Sequence, residues 1–326
     1  MVLFESMRGL NAQATASRDL ESRLVHALAA AALIAAAALA PHLSDYALEI
    51  GFRLLLLMVM AEAWNLMAGY GGLVSLGTAS FVGAGAYALT ASVNQAGLHW
   101  GFGIVLGGMA AALLALAVSR AVFRLRGLYF TVGTLALAEA LRLFMVNYAG
   151  FGGASGLFLA IDPPGLRELY WLALGLFTAA TLAVSVATAS RFSILLRAIR
   201  DDEDAASQIG VRPFRIKLLA FVLASLLMGM AGALQGLKMG AVEPYGTFGL
   251  SWTVTVLSIV IIGGQGRRTG PAAGAIFVVV LSELLADYPA MHLALTGLIL
   301  ILVIRFAPDG LVGLVARVAN RPSRKP

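Results

Sequence analysis

Residues 54–87 read LLLLMVMAEAWNLMAGYGGLVSLGTASFVGAGAY. Glu62 is the only acidic side chain in this stretch, and there is no basic one. A membrane-crossing helix needs about 20 mostly apolar residues, so the stretch covers one apolar run, Leu54–Gly69, and most of a second, Leu73–Val93. Both are short or broken by glycine. Unpaired backbone groups are costly in hydrocarbon, so such runs are tolerated only where neighbouring helices satisfy the backbone. This reading predicts a packed helical bundle around a pathway.

Working outward, further apolar runs lie at His26–Ala40, Gly101–Ser119, Leu128–Asn147, Tyr170–Ser190, Leu218–Leu237, Trp252–Ile262, Pro271–Leu285 and His292–Ile304, ten in all. The chain is 60% apolar and 12% charged, with a mean hydropathy of +0.88. Soluble domains carry roughly 25% charged residues, so this one lacks the polar surface to face water on all sides. The fold class is therefore all-α: a polytopic transmembrane bundle of about ten spans with both termini cytoplasmic. Residues 1–24 form a cytoplasmic arm, 25–312 the transmembrane domain with a cytoplasmic loop at 190–217, and 313–326 a basic cytoplasmic tail. Ala38-Leu39-Ala40 resembles a signal-peptidase site. The run before it starts late and many others follow, so an uncleaved first span is expected.

Charge tests the threading. With ten spans and the N-terminus inside, the segments 1–24, 120–127, 190–217, 263–270 and 305–326 are cytoplasmic and hold 19 of the 23 Lys and Arg residues. Only Arg53, Arg142, Arg167 and Lys238 fall elsewhere. That is the asymmetry of the positive-inside rule, and it accounts for the net charge of +6 without nucleic acid. Cysteine is absent, which excludes disulfides and thiolate chemistry, and His26, His42, His99 and His292 have no metal-ligand spacing. Gly232, Gly236 and Gly240, with a second row at Ser225, Gly229 and Ala233, predict close helix packing.

The longest inside connection, Arg191–Lys217, is charged. Leu195, Ile199, Ala206 and Ile209 can share one face of a short helix lying along the membrane, with Gly210 as its stop. The acidic run Asp201, Asp202, Glu203 and Asp204 fits poorly beside an anionic leaflet. A protein partner that receives this helix explains it better, and Ala205 and Ala206 supply the small side chains that a receiving cleft demands.

Three ionisable groups fall within spans or near their ends: Glu62, Glu139 and Arg142. Such groups face cavities or partners. Glu139 and Arg142, spaced i,i+3, can pair with each other, as a structural ion pair or in a pathway. Glu62 has no local partner in sequence; it either lines a cavity or bonds the carbonyls of a broken helix. Small polar residues at Asn65, Ser75, Thr78 and Ser80 are candidates to line a weak, permissive path or to bond neighbouring helices. No GxxxxGK[ST] is present, so the chain has no P-loop with which to cradle ATP.

Asn65, Leu66, Gly69, Tyr70, Gly72, Ser75, Leu76, Gly77, Ala79, Phe81, Gly83, Gly85, Ala86 and Tyr87 match N-L-x-x-G-Y-x-G-x-x-S-L-G-x-A-x-F-x-G-x-G-A-Y. This resembles the signature region of branched-chain amino acid ABC transporter permeases. In the same order follow Arg126-Gly127-Leu128-Tyr129-Phe130, Thr134-Leu135-Ala136 with Glu139 and Arg142, and Gly152-Gly153-Ala154-Ser155-Gly156-Leu157. Then come Gly263-Gly264-x-Gly266, Gly270-Pro271-x-x-Gly274 and Pro308-Asp309-Gly310-Leu311. Asp204-Ala205-Ala206-x-x-x-Gly210 resembles the EAA-x-x-x-G coupling loop of ABC importer permeases, with Asp for Glu. The resemblance covers about residues 50–312 and points to the M-type subunit. Thr78 stands where the family often has His or Gln, Ser80 where Ala is common, and Phe151 where Thr usually precedes the glycine pair.

The resemblance implies a membrane-spanning subunit of a binding-protein-dependent, ATP-driven importer for branched-chain, hydrophobic amino acids, working by alternating access in the bacterial inner membrane. It implies no catalytic residue, metal or cofactor in this chain; ATP is used by two separate ABC ATPase subunits. The remaining partners are a homologous second permease subunit, a periplasmic or lipid-anchored solute-binding protein and membrane lipid. The same machine for urea, short amides or aromatic acids is the alternative, followed by an ion-coupled secondary transporter. The scarcity of paired intramembrane acids argues against the latter.

Overall fold

The computed structural model describes residues 43–286, 289–307 and 309–319; the 1–24 arm and the His26–Ala40 run lie outside the described residues. Helix α1 (Asp45–Asn65) continues into a π-helical turn at Leu66–Tyr70. After a non-helical passage come α2 (Thr78–Ala96), α3 (Trp100–Val122), α4 (Leu128–Asn147) and α5 (Leu166–Ala189). Two short helices, α6 (Arg191–Asp201) and α7 (Glu203–Gln208), lead to α8 (Pro213–Met239). The rest comprises α9 (Pro244–Thr247), α10 (Leu250–Gly263), α11 (Gly270–Leu284), α12 (Pro289–Phe306) and α13 (Gly310–Ala319). A two-residue ladder, β1 (Leu157–Phe158) against β2 (Ala241–Val242), pairs Leu157 with Val242 and Phe158 with Ala241.

Among the described residues, Asp45–Tyr70, Trp100–Val122, Leu128–Asn147, Leu166–Ala189, Pro213–Met239 and Pro244–Gly263 are long and apolar enough to cross a membrane, and Gly270–Leu284 is a shorter apolar helix. The chain is an all-α, multi-pass membrane protein. Most predicted runs correspond to helices, and Leu128–Asn147 coincides with α4. The run Leu73–Val93 does not hold throughout: residues 73–77 are non-helical, and α2 begins only at Thr78.

The centre is a three-helix packing of α2, α3 and α8, and small residues bring the backbones together. A Cβ at Gly85 would strike the backbone of Gly229, and one at Gly232 would strike that of Val82. One at Gly107 would come within 2.7 Å of the Gly85 carbonyl oxygen. Gly229, Gly232 and Gly236 of α8 are therefore packing positions, as their spacing predicted, whereas Gly240 lies past the helix end as its left-handed cap, beside Pro163. Around this centre, α4 and α5 present Leu128, Tyr129, Phe144, Leu182 and Val186 outward, apolar surfaces suited to lipid or a second membrane subunit.

Candidate functional site

The passage from Leu66 to Gly77 is held by side chains from several helices. Gly71 and Gly72 end the π turn, and Gly72 adopts φ +68°, where a side chain would be strained and would also meet the stem of Arg200. The chain then runs buried without forming a helix, so its backbone groups need partners from elsewhere. Gln265 Nε2 donates to the carbonyl of Ala68 (3.0 Å), and Arg200 Nη1 to that of Gly69 (2.8 Å). Thr131 Oγ1 donates to Val74 (2.8 Å), Trp64 Nε1 to Ser75 (2.8 Å) and Thr253 Oγ1 to Leu76 (3.2 Å). The Leu76 N–H donates to Thr134 Oγ1 (3.0 Å), and the Gly77 N–H to Ser75 Oγ (3.1 Å).

Asn65, expected to line a path or bond a neighbouring helix, clasps the connection between α10 and α11. Its Oδ1 accepts from the Gly266 N–H at 2.8 Å, and its Nδ2 donates to the Arg267 carbonyl at 3.0 Å. Gly69 makes room for this, since a Cβ there would lie 2.6 Å from the Gly266 nitrogen. The same connection is tied by close backbone contacts among Gly263, Gly264, Gly270, Gly274 and Gly310. Motifs spread from Asn65 to Gly310 thus meet at one end of the bundle.

The 190–217 segment lies at that end. It departs from the single helix expected: Asp202 breaks it, its Oδ1 accepting from the N–H groups of Asp204 (3.0 Å) and Ala205 (2.9 Å) to cap α7. Of the residues expected to share one face, Ile199 and Ala206 are buried, Leu195 is half-buried and Ile209 is 79% exposed. Ala206 is small because it is buried in this chain, while Ala205 is exposed. Gly210 has φ +90° and ends α7, as expected of a glycine stop.

Three of the four acidic residues pair with bases of this chain, and Asp202 is the cap of α7. Asp201 accepts from Arg200, Glu203 from Lys217 (2.5 Å), and Asp204 from both terminal nitrogens of Arg126 (3.3 Å each). Leu196 packs with Leu66, Tyr70 and Ala220, and Arg197 lies over the Tyr70 ring at 5.1 Å. The segment is therefore fastened to the broken helix by packing, by a cation–π contact and by Arg200.

The other predicted residues separate. Glu62 finds a partner that its sequence neighbours did not reveal: both carboxylate oxygens accept from Thr181 Oγ1 on α5 at 3.0 Å. Ser75 belongs to the clasped passage. Thr78 and Ser80 are fully buried at the start of α2, and their hydroxyls have no partner among the described residues. Glu139 and Arg142 form the i,i+3 ion pair expected of them, with Arg142 also 5.0 Å from the Tyr245 ring centre. They lie towards the far end of α4, away from the clasped passage. Among the described residues, no three His, Cys, Asp or Glu side chains gather as a metal site.

Sequence reasoning missed Trp64, Thr131, Thr134, Arg200, Thr253 and Gln265 as partners of the passage. The available signal was negative: a glycine-rich, non-helical stretch in an apolar chain must borrow its hydrogen bonds.

A family described as branched-chain amino acid transport system / permease component matches residues 46–304. The high-affinity branched-chain amino acid transport system permease protein LivM of Salmonella typhimurium is 28% identical, over 81% of this chain and 69% of its own. The LivM of Escherichia coli is 26% identical over the same shares. The LivH permease of Salmonella typhimurium is 28% identical over 38% of this chain and 40% of its own. No solved structure matches the chain. The family's match extends from α1 into α12 and takes in the clasped passage and the 190–217 segment, so the chain belongs to the family of branched-chain amino acid transport system permease components.

Proposed function

We propose that this chain is the M-type permease subunit of an ATP-driven importer of branched-chain amino acids in the bacterial inner membrane. It crosses ten times with both termini in the cytoplasm, pairs with a homologous H-type permease, and receives solute from a binding protein outside. Two ATPase subunits inside hydrolyse the ATP. The observation that carries this reading is the attachment of α6 and α7 to the broken helix. ATPase closure pushes on α7, and Arg200 and Leu196 pass the displacement to the Leu66–Gly77 passage and to α8, switching access from one side to the other.

With three of the four acids paired and Asp202 capping α7, the face offered to an ATPase is Ser207, Gln208 and Ile209, with Phe214 beside it; Ile209 and Phe214 are 79% and 41% exposed. This sharpens the expectation that Asp201–Asp204 themselves meet the partner: Asp202 caps α7, Glu203 pairs with Lys217, and the apolar tip docks. Co-expression with candidate partner subunits tests the assembly. Co-purification of the ATPases and ATP-dependent leucine uptake in proteoliposomes supplied with binding protein are expected, while uptake by this polypeptide alone without ATP would refute the reading. Impermeant labelling of single cysteines tests the threading, with Ser155→Cys labelled from outside and Ser207→Cys and Ser323→Cys not.

A further inference from the structure

At the end of the bundle opposite α6 and α7, a cleft of about 400 Å3 opens between α1, α8 and α10. Its mouth carries Glu49 and Arg53 from successive turns of α1 and Lys238 from the last turn of α8. Lys238 is ion-paired to Glu49, and Arg53 faces Glu283 of α11 at 3.6 Å. Leu56 and Leu57, one turn further along α1, add apolar lining, and Ser251 and Thr255 of α10 line one side. None of these residues belongs to the clasped passage or to the path residues expected from sequence.

The composition suits one kind of solute. Two acids and two bases balance to no net charge around the mouth, so a free anion or cation gains little from one side without facing repulsion from the other. A molecule carrying both charges and an apolar branch meets complementary groups throughout. The pairs already present are partly exposed: Arg53 and Glu283 side chains by 47% and 26%, Lys238 and Glu49 by 18% and 43%. The long Arg53–Glu283 pair, the more exposed on its basic side, opens at little cost. Occupancy is therefore weak and reversible, as a site on a conduction path requires, and the volume falls in the range of about 300–1,000 Å3 usual for small-ligand pockets.

We propose that this cleft is a staging site for the free amino acid: Lys238 and Arg53 take its carboxylate, Glu49 takes its ammonium, and Leu56 and Leu57 receive its side chain. The proposal rests on the importer reading and adds where, and through which atoms, the permease itself handles the solute.

The absence of cysteine makes a direct test possible. In the assembled importer, Ser251→Cys places a single thiol in the cleft, whose alkylation by an uncharged maleimide is timed with and without L-leucine. Protection is expected to reach about fivefold when leucine stands about four times above its Kd. L-leucinamide and 4-methylpentanoate, each lacking one of the two charges, are expected not to protect. Protection is lost in Lys238→Met and Glu49→Gln and kept in Lys238→Arg, with the leucine-free alkylation rate in each showing that the cleft is intact. Equal rates with and without leucine, or equal protection by the singly charged analogues, overturn the proposal. The parent importer's ATP-driven leucine uptake separates the two failures. Uptake without protection removes the cleft alone, whereas no uptake removes the importer reading and the cleft with it.

Discussion

The two ends of this bundle hold themselves together differently. At the end bearing α6 and α7, the non-helical passage is fixed by neutral donors and acceptors in fixed places: Asn65, Thr131, Thr134, Thr253, Gln265 and the indole of Trp64. Arg200 adds a charged donor to the Gly69 carbonyl, and Arg197 lies over the Tyr70 ring. At the opposite end, the cleft and its surroundings are held by partly exposed ion pairs, Lys238 with Glu49, Arg53 with Glu283 and Arg142 with Glu139. Buried neutral bonds are costly to leave unmade, while exposed ion pairs exchange partners readily. A stiff node at one end and a yielding mouth at the other is the division of labour that the proposed importer requires, with a push received at the first and solute admitted at the second.

The comparison breaks most easily at Asn65. Replacing it with Leu removes both bonds to the α10–α11 connection and leaves the Gly266 N–H and the Arg267 carbonyl unpaired. Each unsatisfied group costs about 1–3 kcal/mol, so a large fall in the thermal midpoint of the purified chain is expected. A midpoint within a degree or two of the parent would show that the node is not stiff. Glu139→Gln, at the yielding end, is expected to change the midpoint little.

Arg200→Ala tests what the node is for. It removes a charged bond to Gly69 worth about 1.5–3 kcal/mol but does not touch the exposed tip at Ile209. The expected outcome is retained ATPase co-purification and ATP hydrolysis, with leucine uptake reduced about tenfold or more, as such an energy loss implies. Equal loss of docking and uptake would place Arg200 in the docking surface instead. Gly210→Val acts more locally. A non-glycine residue at φ +90° costs about 1–2 kcal/mol, and the space there is open. ATPase binding should weaken while the amount of membrane-inserted chain stays the same.

The sequence made the helices legible because their residues repeat one physical requirement, an apolar surface long enough for lipid, at every span. It also made the i,i+3 pair of Glu139 and Arg142 and the glycine stop at 210 legible, since each depends only on near neighbours. The clasp between Asn65 and Gly266 could not be read this way: its partners are 201 residues apart, and nothing local to either names the other. Glu62 and Thr181 are the same case at a separation of 119. The break at Asp202 was within reach. An aspartate followed by Glu203 and Asp204 in a first turn is a helix start, but a run of four acids invited a reading by charge alone.

The smallest expected effect is the most pointed test of that lesson. Arg126 and Asp204 make a two-pronged ion pair at the node, yet their side chains are 68% and 73% exposed. If the node owes its stiffness to buried neutral bonds, this pair is an accessory. Exposed pairs contribute about 0.2–1 kcal/mol and are screened by salt. Arg126→Ala, Asp204→Ala and the double variant form a cycle whose coupling energy in thermal or denaturant unfolding should fall within that range and shrink as salt is raised. Uptake in the assembled importer should stay within about twofold of the parent for both single variants. A coupling energy of several kcal/mol, or an Asp204→Ala variant as defective as Arg200→Ala, would mean that surface charge shapes α7, and the contrast between the two ends of the bundle would have to be given up.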